Sequence, residues 1–398
     1  MSVESQNNKT RGQGINPNEF IKEREPYTQF QTWLADTKGV IGCPTDCQYC
    51  FLKLDGKTPS KPQINLSPEE MIKQLPKSHT YHSNIPINFG SETDIFATKQ
   101  NINYYYELLE RFNRSNYENP VILITKKHVP DKFIELISRI QKKIILYISY
   151  SGLGGTKIEP HVSSEEIRDN FIRLNQKKIP VVHYWRPFLP QNSTIKDFHK
   201  ILSHVSNYAK CSVVNGLRLN DGIRENLKPF WPELYKVNYD FSKTGEFWPK
   251  GVRSSLIDLS KEYKNYPIFF GNTPCSVAYT TNESDIYGTY NGEMCLESQC
   301  PPVQRNKCKN NYQMPTPDKV RQTLTEIEIK NNFILTNSKI IIKGNIGADE
   351  LTYTRTRLKF PVIPENICYR SGYNWSQIQE ENRIIEVEWN DHQNLIQN

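Results

Sequence analysis

From Lys38 to Leu217 the chain alternates six short β-rich apolar runs with amphipathic helical stretches, and that alternation leaves few folds open. The runs are Lys38–Gly42, Ile85–Gly90, Val121–Thr125, Ile144–Ser149, Pro180–Tyr184 and Cys211–Leu217. Helical patterns fall near Ile102–Phe112, Asp131–Ile140 and Ile195–Val205, and Ser163 with Glu166 makes a capping pair that opens another. Ser67-Pro68-Glu69-Glu70 reads as a helix start, with an N-cap serine, proline at the first helical position and acids in the first turn. Strand–helix repetition of this kind calls for a parallel sheet with right-handed crossovers. We therefore expect an α/β chain built on a partial (β/α)6 barrel of TIM type, with its chemistry at the carboxyl ends of the strands.

The 398 residues allow one large domain and an appendage. Residues 1–35 read as a polar lead-in and 36–270 as the barrel, with Pro267–Phe270 a candidate further strand. Residues 271–315 are rich in Cys, Asn and Gly and have little periodicity, so something other than a core must organise them. Residues 316–398 read as a small α+β terminal unit, helical over 316–331 with strands at 338–343 and 384–389. Met1 to Asn18 is polar and has no apolar signal region, and no stretch approaches the ~20 apolar residues of a membrane span. The expectation is a soluble, cytoplasmic protein with no membrane partner. A net charge of +7 permits a nucleic-acid partner without demanding one.

Nine cysteines is a high count for a reducing compartment, where clustered cysteines are more often metal ligands than disulfides. Cys43, Cys47 and Cys50 lie in Gly42-Cys43-Pro44-Thr45-Asp46-Cys47-Gln48-Tyr49-Cys50, spaced Cys-x3-Cys-x2-Cys. Thiolates this close can wrap one cubane, each on a different iron, and three local ligands leave the fourth iron open. A closed zinc site needs a fourth Cys or His nearby. The nearest histidines, His79 and His82, fall in a separate segment.

This motif, with an aromatic residue just before the third cysteine and a strand ahead of it, resembles the radical S-adenosylmethionine (SAM) superfamily. The resemblance implies a 4Fe-4S cluster on Cys43, Cys47 and Cys50 that binds SAM at its free iron, with Tyr49 against the adenine. It also implies an electron donor such as flavodoxin or ferredoxin. Over roughly residues 38–190 the chain is similar to the spore photoproduct lyase-like branch. The landmarks are Gly90-Ser91-Glu92-Thr93-Asp94, Leu123-Ile124-Thr125-Lys126, Tyr147-Ile148-Ser149, Glu159-Pro160, and Arg186-Pro187-Phe188-Leu189-Pro190. By that resemblance Ser91, Thr93, Lys126 and Ser149 belong to the SAM site, with Lys126 facing the SAM carboxylate. The lyase itself has a hydrogen-donating cysteine three residues before the aspartate. Here Ser91 stands there, and a serine O–H bond is too strong for that task, so thymine-dimer lyase activity is not expected.

Cys275, Cys295, Cys300 and Cys308 form a second cluster within an aperiodic segment. Two readings stand: a second 4Fe-4S cluster, or a structural zinc on four thiolates. The spacing lacks the Cys-x2-Cys knuckles of zinc ribbons, which favours iron and sulfide. Near the C-terminus Arg355, Arg357, Lys359 and Arg370 are interleaved with Tyr353, Phe360, Tyr369, Tyr373 and Trp375, a composition suited to phosphate contacts and base stacking, or to an ordinary β-rich unit with basic faces.

Taken together these features lead us to expect an enzyme that begins with hydrogen-atom abstraction from a nucleobase or nucleotide. Rival substrates are a peptide or a small-molecule natural product. A zinc-stabilised nucleic-acid-binding protein is the non-enzyme alternative.

Overall fold

The computed structural model describes residues 25–30, 32–53, 60–239, 245–271, 273–285, 287–290, 295, 300–365 and 384–390. In chain order its elements begin with β1 (Tyr27–Phe30), β2 (Trp33–Asp36), β3 (Val40–Ile41), β4 (Gln63–Ile64) and α1 (Pro68–Gln74). The alternating part follows as β5 (Ile87–Phe89), α2 (Lys99–Arg114), β6 (Val121–Thr125), α3 (Asp131–Arg139), β7 (Ile144–Ser149), α4 (Ser164–Gln176), β8 (Val181–Trp185), α5 (Ile195–Val205) and β9 (Cys211–Val214). Next come α6 (Asp221–Leu227), β10 (Glu246–Pro249), α7 (Val252–Ser260), β11 (Ile268–Phe270), α8 (Thr273–Thr280) and α9 (Pro302–Asn311). The last elements are α10 (Pro317–Glu326), β12 (Phe333–Leu335), β13 (Ile340–Ile342), α11 (Ala348–Leu358), β14 (Val362–Pro364) and β15 (Ile384–Val387).

The central sheet runs β1-β2-β5-β6-β7-β8-β9-β11. β1 is antiparallel to β2, and every pairing from β2 to β11 is parallel. The α/β expectation therefore holds, with one correction. The first parallel strand is Trp33–Asp36, not Lys38–Gly42. Asp36 Oδ1 accepts the backbone N–H of Gly39 at 2.8 Å and of Lys38 at 3.3 Å, which turns the chain out of the sheet. Val40–Ile41 then pairs with Gln63–Ile64 in a separate two-stranded sheet. The candidate further strand at Pro267–Phe270 is present: Ile268–Phe270 joins the sheet beside β9.

Side-chain alternation along each strand gives the sheet two faces. On β7, Ile144, Leu146 and Ile148 enter the core under α2, α3, α4 and α5, with Phe112, Phe133, Phe171 and Phe198 from those helices. Ile145 and Tyr147 enter a different cluster on the opposite, inner face, with Ile122, Val182, Tyr184, Val213 and Phe269. The helices sit where they do because their stops and starts are written locally. Ser67 and Thr194 close capping boxes, Ser163 accepts from the Glu166 N–H, and Thr98 caps α2. Burying each such Phe or Leu contributes about 1.5–3 kcal/mol, more than the caps at about 1 kcal/mol each, so packing rather than capping dominates.

Past the central sheet two expectations change. Residues 271–312, expected to be aperiodic, contain two short helices, α8 and α9. The strand near 384–389 does not join the terminal unit; β15 pairs in parallel with β10, Glu246 opposite Ile384. The small three-stranded sheet β12-β13-β14 packs with α10 and α11 around Val320, Leu324, Ile340, Ile342, Leu351, Phe360 and Val362. This unit touches the barrel side through His82, whose Nε2 lies 2.8 Å from Thr356 Oγ1 on α11. Among the described residues, no helix is long and apolar enough to cross a membrane.

Candidate metal centres at two cysteine clusters

The loop carrying Cys43, Cys47 and Cys50 leaves β3 at Gly42, which has φ +116°, a conformation that favours glycine. It is pinned at both ends. The Gly42 N–H donates to Glu92 O at 3.0 Å, and Thr93 Oγ1 donates to Gly42 O. Thr93 Oγ1 in turn accepts from Asn101 Nδ2 at 2.9 Å. Farther along, the Gln48 N–H donates to Ile158 O at 3.0 Å, tying the loop to the segment after β7. Thr93 thus acts through the backbone next to Cys43.

Burial pushes the Cys43 thiol up from its ordinary value, and the Asp94 carboxylate adds to that. Backbone N–H groups of Thr45 and Asp94 point at the same sulfur and oppose the rise, and Thr45 Oγ1 lies 3.2 Å from it. Donors aimed at a buried sulfur suit a thiolate, hence a metal ligand. Cys47 is buried, and burial raises its thiol well above the usual range, while Lys126 pulls it down. Lys126, Glu159, Cys43 and Cys50 all lie within electrostatic reach of Cys47.

Around Cys47 a compact polar group gathers. Lys126 Nζ donates to Glu159 Oε1 at 2.9 Å and sits 5.3 Å from the centroid of the Tyr49 ring. Tyr49 Oη donates to the same carboxylate oxygen, and Ser151 Oγ donates to Glu159 Oε2 at 2.9 Å. Asp94 holds the start of that segment: Thr125 Oγ1 donates to Asp94 Oδ1 at 2.8 Å and the Lys126 N–H to Asp94 Oδ2 at 2.7 Å. Tyr49 and Lys126, both picked out from sequence, therefore meet at one place.

Ser149 ends β7 on the inner-face alternation of Ile145 and Tyr147, opposite Tyr184 of β8. Ser91 is differently placed: its hydroxyl donates to Asp36 O, at the end of β2, and is spent on that turn. Glu159 and Ser151 were not singled out as site residues. The sequence signal for Glu159 was the Glu159-Pro160 landmark of the resemblance, which carried no role for the carboxylate. Arg186, at the mouth of β8, lies over the Tyr184 ring at 4.1 Å and precedes a cis bond to Pro187.

The second cluster also converges. Cys275 on α8, Cys308 on α9, and Cys295 and Cys300 between them line one pocket with Asp285 and Gln304. The Cys275 and Cys300 thiols are in hydrogen-bond contact, which with burial raises the Cys275 thiol far above its ordinary value. Cys308 Sγ accepts from Gln304 Nε2 at 3.4 Å, and the Asp285 N–H points at it. Asp285 itself is saturated: its carboxylate takes the N–H groups of Tyr287, Thr289 and Tyr290 and the Thr289 hydroxyl. It shapes the loop and is not a spare ligand. Among the described residues no three His, Cys, Asp or Glu side chains are gathered as ligands of a single ion. A cubane does not need that, because each of its thiolates binds a different iron.

The described part of the basic, aromatic C-terminal stretch is occupied. Arg355 is buried with Nη2 donating to Val362 O at 2.9 Å, and Arg357 and Tyr353 both meet Glu326. Cys368, Tyr369, Arg370, Tyr373 and Trp375 lie outside the described residues.

No protein-family model matches the chain, and no curated protein does. Among solved structures, a point mutant of spore photoproduct lyase aligns with TM-score 0.48 at 9% identity, covering 66% of this chain and 86% of that one. SuiB of Streptococcus suis, bound to S-adenosylmethionine, aligns with TM-score 0.41 at 10% identity over 58% of this chain and 48% of that one. TsrM from Kitasatospora setae, a radical S-adenosylmethionine methyltransferase, aligns with TM-score 0.34 at 12% identity over 46% of this chain and 36% of that one.

Proposed function

We propose that the chain is a radical SAM enzyme, with Cys43, Cys47 and Cys50 holding a 4Fe-4S cluster whose fourth iron takes SAM. The observation that carries this is the pinned cysteine loop beside Lys126, Tyr49 and Glu159, with backbone donors already aimed at Cys43 Sγ. The bound group would supply one electron to cleave SAM to methionine and a 5′-deoxyadenosyl radical, which removes a hydrogen atom from the substrate.

The chain's own residues do the rest. Thr93 and Asn101 fix the backbone at Gly42 and so the direction of Cys43. Glu159 holds Lys126 and Tyr49 in one orientation beside Cys47, and the remaining N–H bonds of the Lys126 ammonium suit the SAM carboxylate. Tyr49 offers a ring face for the adenine, and Ser149 a hydroxyl at the same end of the sheet. The inner face beneath is lined by Ile124, Tyr147 and Tyr184, an apolar wall that keeps water from a reactive radical. An outside donor such as flavodoxin or ferredoxin would deliver the electron.

For the substrate, a nucleobase or nucleotide rests on the likeness of residues 38–190 and the +7 charge. Support from the basic, aromatic stretch is withdrawn for Tyr353, Arg355 and Arg357, which serve the terminal unit. A peptide or small natural product is the rival, and binding that weakens steeply with salt separates nucleic acid from either. A zinc-stabilised nucleic-acid-binding protein is the third reading.

Anaerobic reconstitution with iron and sulfide, followed by iron counting in wild type and in a Cys43/Cys47/Cys50→Ala triple variant, tests the assignment. We expect the triple variant to lose about four irons per chain. SAM should change the EPR signal of the reduced wild type and leave that of the variant untouched. Equal iron in both proteins, or no SAM effect on wild type, ends the radical SAM reading.

A further inference from the structure

Helix α8 is short, and what it covers is unusual for its length. It leaves the carboxyl end of β11 and lies on the inner face of the sheet, where Val277 is buried with Ile122, Ile145, Tyr147, Val182 and Val213. Ser276 Oγ lies 2.8 Å from Tyr147 Oη, and Thr280 Oγ1 is 3.8 Å from Cys211 Sγ. Tyr147 is two residues before Ser149 on the same alternation, so α8 forms a floor just beneath the level of Ser149.

An eight-residue helix has little stability of its own and needs outside support. Among the described residues, the segment that follows adds Tyr287 to the inner-face cluster, with Cys300 partly buried against it. It also provides thiols. Ser276, Val277 and Thr280 turn to the sheet, whereas Cys275 and Ala278 turn to the pocket that Cys295, Cys300 and Cys308 line. Cys308 comes from α9, so ligands on one metal centre would tie α8 to α9 across a long loop, the arrangement in which a metal clip stabilises most.

We infer that Cys275, Cys295, Cys300 and Cys308 form a four-thiolate iron–sulfur centre that clasps α8 onto the inner face of the sheet, beneath Ser149. Cys275 and Cys300 pack partly against the inner-face cluster and also line the pocket with Cys295 and Cys308, so the centre is joined to the sheet through α8. This inference does not depend on what the first cysteine loop binds.

The test compares full-length wild type, a Cys300→Ala/Cys308→Ala double variant and the Cys43/Cys47/Cys50→Ala triple variant. Iron and zinc are counted in each, and hydrogen exchange is followed on the peptide spanning 273–281, with the peptide spanning 144–149 as internal reference. The double variant should lose about four irons, keep the first-loop metal, and exchange about tenfold faster at 273–281 alone. The triple variant should keep the second centre and normal exchange there. Unchanged metal in the double variant overturns the centre. Lost metal with unchanged exchange overturns the clasp.

Should the double variant fail to fold, wild type stripped by a chelator replaces it, with the same two readouts. Ser276→Ala, which touches no ligand, should keep full metal and still raise exchange at 273–281. A wild type with metal only at the second centre would remove the proposed function and leave this inference standing.

Discussion

Lys126 and Glu159 form a buried ion pair: Nζ sits 2.9 Å from Oε1, with side-chain exposures of 16% and 1%. The lysine directly follows β6 and the glutamate lies in the segment after β7, so the pair bridges two adjacent strand exits next to the cysteine loop. Removing one partner of such a pair leaves the other charged in a poor solvent, which costs more than the pair itself contributes. Glu159→Gln should lower stability by on the order of 3 kcal/mol. It should also weaken SAM binding, because Tyr49 and Lys126 lose their common acceptor. Urea unfolding and SAM titration of the reconstituted protein measure both effects, and a variant matching wild type in each would show that the pair positions nothing.

Thr93→Val keeps the shape and removes the hydroxyl that holds Gly42 O and accepts from Asn101 Nδ2. A buried donor left without a partner costs about 1–3 kcal/mol. The larger consequence falls on the cysteine loop: iron retained after gel filtration should drop, with the second cysteine cluster unaffected. Full iron retention would mean that the loop is held by its other anchors alone.

His183 sets an acid limit on the fold. It is fully buried between Tyr150 O at 2.9 Å and Ser212 Oγ at 2.8 Å, and burial brings its pKa down to about 3, with the bond to Tyr150 opposing. In the unfolded chain it titrates near 6.5. The folded state therefore binds the proton less readily, so its contribution is complete above pH 6.5 and is lost as pH falls toward 3, at about 1.4 kcal/mol per pH unit. His82, lowered to about 3 by burial and by Arg357, acts in the same direction. His183→Phe should be less stable at pH 7, since Tyr150 O loses its donor, yet show a shallower decline between pH 6.5 and 4. Parallel pH profiles for the two proteins would contradict this.

Arg355→Gln separates a structural from a nucleic-acid role for α11. The guanidinium is buried and bonded to Val362 O, so the substitution should destabilise the terminal unit by about 1.5–3 kcal/mol. Oligonucleotide binding, if measurable, should keep the same salt slope. A slope smaller by about one phosphate contact would restore this arginine to a nucleic-acid surface.

Much of the central sheet and its helices was legible because β-runs and capped amphipathic helices are local signals. Val121–Thr125, Ile144–Ser149 and the Ser163 and Ser67 caps needed only a few neighbouring residues to specify them. The misplaced first strand shows the limit. Val40–Ile41 is as apolar as Trp33–Asp36, and what excludes it from the sheet is the Asp36 carboxylate folding back on Gly39. The aperiodic look of 271–312 has a related cause. α8 buries residues against an inner face built from β6, β7, β8, β9 and β11, so its helical pattern is set by that surface more than by its own period.

By itself the sequence determined an alternating α/β chain and two cysteine clusters, because spacing and residue chemistry are one-dimensional, while Tyr49 and Lys126 were pointed to by the resemblance. Only the tertiary structure decided that Glu159 joins Lys126 to Tyr49, that Ser91 serves the turn after β2, and that Arg355 is interior. It also decided that β15 pairs with β10, more than a hundred residues earlier in the chain. Each of these depends on groups brought together from distant parts of the chain, where burial fixes which polar atoms must find one another.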